Sequence, residues 1–97
     1  MRESNFQAKV IREIEDRIPG CIVLKNDPNY LQGIPDFQIS VGPKVAWLEF
    51  KKSEDAVRQP NQDYYVNQIN SKGGFARFIY PENRKEVLDE LQQSFGL

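Results

Sequence analysis

The stretch that decides the fold reads PDFQISVGPKVAWLEFK and runs from Pro35 to Lys51. Its two apolar runs, 37–41 and 45–51, are separated by turn-forming residues at 42–44, so the stretch predicts a β-hairpin. Side chains alternate between the two faces of a strand, so Glu49 and Lys51 share one face. Asp36 opens the first strand, and a hairpin places its first and last residues side by side. We therefore expect Asp36 to lie beside Glu49 and Lys51.

Two carboxylates and one ammonium group at the end of a strand are typical of a divalent-metal site with a cation beside it. That chemistry serves phosphodiester cleavage. The alternatives are a Pro-Asp turn dipeptide and a solvated cross-strand Glu-x-Lys pair. Trp47 shares the face of Glu49, which indicates a central strand rather than a solvent-facing edge. Charged groups in such a strand need a partner or a metal, and this favours the metal site.

Length and composition predict a single globular domain over residues 1–97, because 39% of the residues are apolar and 28% are charged. The net charge of −1 argues mildly against nucleic-acid binding, although carboxylates that hold metal ions are neutralised when they do so. The sequence has no bilayer-spanning apolar run and no signal-peptide pattern. We therefore expect an intracellular protein with no membrane partner.

The chain contains no histidine and one cysteine. Without histidine, Ser-His and Cys-His nucleophile systems and His-ligated zinc are excluded. Cys21 has no partner for an intramolecular disulfide, and it lies in an apolar run that predicts a small core residue. An enzyme with this composition has to use carboxylates, lysines and an oxygen-preferring metal such as Mg²⁺ or Mn²⁺.

The remaining segments predict three helices and two further strands. Phe6, Val10, Ile14 and Ile18 recur every four residues, which predicts an amphipathic helix over 3–18 that ends at Pro19-Gly20. A short buried strand follows at 21–25, then a polar loop at 26–33. A second helix is expected from Pro60 to about residue 72, a fourth strand over 75–80 and a last helix over 81–95. The order αβββαβα predicts an α/β fold, a mixed four-stranded sheet flanked by helices.

With this order, the chain resembles a minimal member of the PD-(D/E)xK nuclease superfamily, which has the restriction-endonuclease-like fold. Within it, the chain is most similar to the small VRR-NUC and Holliday-junction-resolvase-like nucleases of phages. The residues that carry the resemblance are Glu3, Gly33-Ile34-Pro35-Asp36, Trp47-Leu48-Glu49-Phe50-Lys51 and Pro60-Asn61-Gln62. The resemblance covers essentially the whole chain, as an αβββαβ core with a C-terminal helix.

The resemblance implies a role for each residue of the motif. Asp36 and Glu49 would be metal-binding carboxylates, and the main-chain carbonyl of Phe50 would be a further ligand. Lys51 would lie beside the attacking water and the scissile phosphate. Gln62 would contact Lys51 or a phosphate, or would simply be an exposed residue in the first turn of its helix.

The resemblance also assigns an acidic residue of the first helix. Glu3 would hold metal ligands or waters, although an acid at the start of a helix also suits the helix dipole without any catalytic role. Glu13 is the second choice, but helical geometry places it away from the face that carries Glu3.

The implied activity is Mg²⁺-dependent DNA endonuclease, with Mn²⁺ as a substitute. The chain has no added DNA-recognition domain, so we expect selectivity for branched or four-way-junction DNA, and a homodimer that enlarges the DNA footprint. The candidate phosphate contacts are Lys25, Lys52, Arg58 and Lys72, with Lys9 and Arg12 as further possibilities, and each is otherwise an ordinary solvated charge. Tyr30, Tyr64 and Tyr65 are candidates for stacking on a base or for half-buried core positions. If the chain is phage-encoded, it would act in the host cytoplasm.

Two other classes of function fit the same residues. The first is a non-catalytic DNA- or protein-binding module on the same fold. The second is a structural protein whose acidic residues form a stabilising ion-pair network, which is disfavoured because a buried ion pair gains little over apolar packing.

Overall fold

The hairpin over residues 35–51 forms the centre of a four-stranded sheet. The computed structural model describes residues 2–97. The strands are β1 (Ile22–Lys25), β2 (Phe37–Val41), β3 (Lys44–Phe50) and β4 (Phe75–Ile79). They lie in the order β1-β2-β3-β4, with β3 parallel to β4 and the other neighbours antiparallel. The expected mixed sheet is confirmed, and β3 is a central strand as predicted.

Three helices flank the sheet: α1 (Glu3–Arg17), α2 (Pro60–Ser71) and α3 (Arg84–Ser94). The last helix begins later than predicted, because Pro81–Asn83 form a 3₁₀ turn. The Asn83 side chain accepts a hydrogen bond from the Tyr80 backbone N–H (2.9 Å) and donates one to the Phe78 carbonyl (3.0 Å). These two bonds hold the tighter turn before α3 starts. None of the helices within residues 2–97 is long and apolar enough to cross a membrane.

One face of the sheet carries the hydrophobic core. The apolar stripe of α1 and that of α3 pack against the inward-facing residues of β2 and β3, and the Phe50 ring meets Phe6 and Phe37 edge-on at 5.9 and 5.2 Å. Cys21 packs against this core as a free, half-buried thiol, as expected from the sequence. The main core residues are Phe6, Val10, Ile14, Phe37, Ile39, Ala46, Leu48, Phe50, Val87, Leu88 and Leu91.

The opposite face of the sheet is covered over β4 and left uncovered over β1. Helix α2 packs over β4, where the Asn70 side chain bonds both the N–H and the C=O of Ala76 (2.9 and 2.8 Å). Nothing among residues 2–97 covers β1 on this face, so Ile22 is 60% exposed and Leu24 is 51% exposed. The prediction of a buried first strand is therefore wrong: β1 is an edge strand, and only its alternate residues face the core.

Candidate functional site

Asp36 and Glu49 meet at the end of the hairpin, on the face that α2 partly covers. Phe37 pairs with Leu48, so the next position outward places Asp36 opposite Glu49. The Phe50 backbone N–H donates to Asp36 Oδ2 at 3.0 Å, which fixes the Asp36 carboxylate across the two strands. Glu49 is 3% exposed, and it is the buried charged side chain of residues 2–97. The folded chain thus brings two of the predicted carboxylates together.

Gln62 joins the second carboxylate to the lysine. Its Nε2 donates to Glu49 Oε2 at 3.1 Å, and its Oε1 accepts from Lys51 Nζ at 2.7 Å. Lys51 Nζ also donates to the Val57 carbonyl at 3.2 Å. The ion pairs found within residues 2–97 do not involve Lys51 or Glu49. The Gln62 amide therefore bridges these two groups by hydrogen bonds, and they form no direct salt bridge.

The environment of Glu49 opposes its negative charge. Burial, and after it the neighbouring Asp36 carboxylate, raise the pKa of Glu49 to about 8 against the smaller opposite effect of Lys51. Two adjacent carboxylates repel each other when both are ionised, and a divalent cation bound between them would remove that repulsion. The oxygen-only donor set is the set that Mg²⁺ and Mn²⁺ prefer, so the residues present fit such an ion.

The N-terminus of α2 fixes the position of Gln62. The Gln59 backbone N–H donates to Gln62 Oε1 at 3.1 Å, while the Gln62 N–H donates to the Gln59 carbonyl at 2.9 Å. Gly33, in the loop before β2, lies directly against this helix end with φ +90°. A Cβ at position 33 would lie 2.3 Å from the Cβ of Asn61, so only glycine permits this approach.

Asn26 holds the backbone that precedes the first carboxylate. Its N–H donates to the Asp36 carbonyl at 2.7 Å, and its side-chain Nδ2 donates to the Pro35 carbonyl at 2.6 Å. Gln38 Nε2 in turn donates to Asn26 Oδ1 at 2.9 Å. Asn26 therefore ties the end of β1 to the Pro35-Asp36 peptide and limits how Asp36 can be oriented.

The sequence reasoning missed three residues that shape the site: Asn26, Gly33 and Gln59. In the sequence, Gly33 is one of the motif residues and Asn26 belongs to the polar loop over 26–33, and neither position predicts a contact. The available signal was a glycine and an asparagine in one loop leading into Pro-Asp, and that pattern does not say which distant residues they contact.

Glu3 does not form a metal-holding group with the carboxylate pair. It is exposed, accepts a hydrogen bond from Gln7 at 3.4 Å, and borders a groove of about 540 Å³ whose other wall is the 52–57 connector. Residues 2–97 contain no cluster of three or more acidic, cysteine or histidine side chains arranged to hold a metal. Glu3 and the carbonyl of Phe50 as ligands therefore stay predictions. Glu13 is engaged elsewhere, in ion pairs with Arg17 and Arg84.

The candidate phosphate contacts occupy different surroundings. Lys25 is exposed at the end of β1, with its ammonium 6.0 Å from the centroid of the Phe37 ring. Lys52 is exposed on the groove beside Glu3. The Arg58 guanidinium lies 4.0 Å over the centroid of the Phe78 ring and 3.6 Å from Asp63, so its charge already interacts with a carboxylate and an aromatic ring. Lys72 caps the far end of α2, about 15 Å from Gln62 along the helix. Lys9 and Arg12 are exposed on α1.

The three tyrosines also differ. Tyr30 is 89% exposed, in the loop between β1 and β2. Tyr64 is 56% exposed on α2 and packs edge-on against Tyr65, with the ring centroids 5.1 Å apart. Tyr65 is half-buried, which matches the core alternative better than the stacking one.

A solved structure described as a VRR_NUC domain shares this architecture. The two superpose with a TM-score of 0.74 over 90% of this chain and 94% of that chain, at 19% sequence identity. Comparison with protein-family models gives no match, and comparison with curated proteins gives none.

The fold is therefore of the VRR-NUC, restriction-endonuclease-like class, and the fold expected from the motif residues is confirmed. At 19% identity the similarity concerns the fold, so the activity has to be argued from the site residues.

Proposed function

We propose that this chain is a metal-dependent DNA endonuclease that hydrolyses phosphodiester bonds. The observation that carries the proposal is the grouping of Asp36 and Glu49 at one strand end, with Lys51 joined to Glu49 through Gln62. A buried glutamate next to a second carboxylate is unfavourable in the absence of a cation, and this supports a metal-binding role for the pair. The shared fold with a VRR_NUC domain supports the same proposal.

Asp36 and Glu49 are the residues that would hold Mg²⁺, or Mn²⁺ in its place. The bound ion would supply a Lewis acid for the phosphate and would lower the pKa of a water molecule. Asp36 is oriented for this role by the Phe50 N–H, and Glu49 by the Gln62 amide. Both carboxylates are therefore held before substrate arrives, which reduces the reorganisation needed for cleavage.

Lys51 supplies a fixed positive charge beside the carboxylates. Its Nζ is held by two oxygens, from Gln62 and Val57, and keeps one donor position free. That N–H can donate to a phosphate oxygen as negative charge develops on it, or can orient the attacking water. Gln62 is a positioning residue, because it acts on the reaction through Lys51 and Glu49.

The experiment is cleavage of supercoiled plasmid and of a four-way junction in Mg²⁺ or Mn²⁺, with EDTA as the metal-free control. We expect cleavage only with metal. Asp36→Asn and Lys51→Ala should each lower the rate on the order of 10³-fold, since each removes a charge that stabilises the transition state. Matched controls are Asp16→Asn on the exposed face of α1 and Lys44→Ala at the far end of β3.

The outcomes separate the alternatives. Cleavage that persists near the starting rate in Asp36→Asn or Lys51→Ala contradicts the proposed site. DNA binding without cleavage by the unmodified chain would instead indicate a non-catalytic module on the same fold.

We also propose a homodimer that prefers branched DNA to plain duplex. Specific DNA interfaces commonly bury about 1,000–2,500 Å² of protein surface, which is a large share of the 6107 Å² that this chain exposes. A two-fold dimer doubles the footprint and supplies two sites for paired cuts. Sedimentation at micromolar concentration should show a dimer, and a junction should be cut faster than linear duplex. A monomer, or equal rates on both substrates, contradicts this part.

A further inference from the structure

A pocket of about 480 Å³ lies on the uncovered face of the sheet, next to the carboxylate pair. Leu24 and Trp47 form its floor, and Tyr30 and Leu31 of the β1–β2 loop form its wall. Gln38 and Asn26 stand at its rim. Lys25 also borders it, but the Lys25 ammonium lies on the other face of β1, 6.0 Å from the centroid of the Phe37 ring. We call this pocket the loop pocket. Its lining is mostly apolar and includes two aromatic rings, those of Tyr30 and Trp47.

The loop pocket is adjacent to the candidate active site. Trp47 precedes Glu49 by two residues on the same strand and the same face, which separates them by about 7 Å. Asn26, which also lines the pocket, bonds the carbonyls of Pro35 and Asp36. A polymer whose phosphate lies at Asp36 and Glu49 therefore reaches the loop pocket within one or two nucleotides.

The chemistry of the lining selects among possible occupants. Tyr30 is 89% exposed, and within residues 2–97 its ring and that of Trp47 make no aromatic pair. Both are therefore free to stack on a planar ligand. The acidic group in the lining, Asp27, is used by the loop itself, since its Oδ1 accepts from the Asn29 N–H at 2.8 Å.

We propose that the loop pocket receives an unpaired nucleobase of the DNA, stacked against Tyr30 and Trp47, beside the scissile phosphate. The proposal rests on the nuclease function proposed above and specifies its substrate as DNA with unpaired nucleotides at the cleavage point. A base inside a duplex is covered on both faces by its neighbours and cannot enter. An unpaired base at a branch or in a single-stranded arm can.

Trp47 is the single tryptophan of the chain, so its fluorescence reports on the loop pocket directly. The experiment titrates the protein, in EDTA to prevent cleavage, with three DNAs: an oligothymidine, a fork with one unpaired arm, and a blunt duplex. We expect saturable quenching of Trp47 emission by the oligothymidine and the fork, and little change with the duplex.

Substitutions at Tyr30 test stacking without disturbing the core, because this side chain is almost fully exposed. Tyr30→Ala should weaken oligothymidine binding about ten-fold, and Tyr30→Phe should retain the affinity, since the ring is what stacks. Ile22→Ala, which truncates an exposed apolar side chain on the same sheet face outside the pocket, should change the affinity much less. An abasic nucleotide at the junction of the fork should weaken binding to the unmodified chain about as much as Tyr30→Ala does.

The outcomes for the loop pocket and for the nuclease are distinguishable. Quenching that depends on Tyr30, in a chain that never cleaves DNA, supports the pocket and contradicts the nuclease. Cleavage at equal rates by the unmodified chain and Tyr30→Ala, with no quenching by the oligothymidine, overturns the pocket and leaves the nuclease intact. Trp47 emission that changes with protein concentration alone, together with dimer formation, assigns the pocket to a second copy of the chain and also overturns the proposal.

Discussion

Glu49 is the residue in which folding and function are in conflict. Its position in a central strand, beside Asp36 and under α2, removes it from water and raises its pKa to about 8. In the unfolded chain the same group ionises near pH 4.5. The Gln62 amide holds this carboxylate in place, where the proposed cation would neutralise it.

The first prediction concerns stability against pH in EDTA. Below pH 4.5 both states are protonated at Glu49 and no penalty arises; as pH rises towards 8 the unfolded state loses its proton first, so the folded chain loses stability. Glu49→Gln should remove this loss. At pH 8 its free energy of unfolding should exceed that of the unmodified chain by about 2–4 kcal/mol, so it should unfold at a higher denaturant concentration. Urea melts at pH 5 and pH 8 measure it. Glu15→Gln, on an exposed face of α1, is the charge-matched control, and an equal gain in both variants contradicts the argument.

The second prediction concerns Gln62. Gln62→Ala should free Lys51 and Glu49 from each other and lower the single-turnover cleavage rate about 10–100-fold, because both groups must then be ordered during the reaction. The pH–rate profile should also shift, since Glu49 loses a hydrogen-bond donor. A purely structural role would leave that profile in place. Asn67→Ala, exposed on the same helix, should have the unmodified rate and profile.

At the scale of elements, the site depends on the contact between the β1–β2 loop and the start of α2. Gly33 in the loop lies against Asn61, and the next residue of the helix is Gln62. The position of the amide that joins Lys51 to Glu49 is therefore set by a loop that comes almost thirty residues earlier in the chain.

The third prediction compares two glycines with nearly equal backbone angles. Gly20 has φ +84° and open space around it, whereas Gly33 has φ +90° and Asn61 within 2.3 Å of an added Cβ. Gly20→Ala should cost about 1 kcal/mol from backbone strain alone. Gly33→Ala should cost about 2–4 kcal/mol, because strain and overlap add, and it should also lower the cleavage rate by displacing Gln62. Chemical denaturation measures the free energy of unfolding of both variants. Equal decreases would show that the loop can shift to accommodate the added Cβ without displacing the helix.

For the whole molecule, a small core of one sheet face and two helices has to stabilise a site that carries unfavourable charge. The proposed metal binding would therefore stabilise the entire domain, because Asp36 and Glu49 lie at the ends of two strands that are adjacent only when the chain is folded.

The fourth prediction is a saturable rise in Tm with Mn²⁺. At a metal concentration 100 times Kd the gain is about 2.7 kcal/mol, which raises the Tm of a domain of this size by roughly 10–20 °C. The rise should be larger at pH 8 than at pH 6, since Glu49 must lose its proton to bind, and Asp36→Asn should abolish it. Differential scanning calorimetry with and without EDTA provides the measurement. No saturable rise would favour a structural role for the acidic pair.

The amino-acid sequence by itself determined the elements and the pairing at the centre of the fold. Periodicity indicates which side of its own strand or helix each residue faces. The strands show it as alternating apolar residues in 37–41 and 45–51, and the first helix as the four-residue spacing of Phe6, Val10 and Ile14. A short hairpin also fixes its own register, so the approach of Asp36 to Glu49 follows from local geometry. Helix boundaries were predicted to within a few residues.

Only the tertiary structure decided what covers each face and which distant groups meet. The sequence pattern of β1 is compatible with full burial, but α2 packs over β4, so half of the sheet face is left open and Leu24 and Trp47 become the floor of a pocket. The bonds of Gln62 to Lys51 and Glu49, and of Asn26 to Pro35, likewise depend on the docking of a helix and a loop. The physical reason is that side-chain periodicity specifies burial relative to one element, whereas the choice of neighbour is made by packing among segments far apart in the chain.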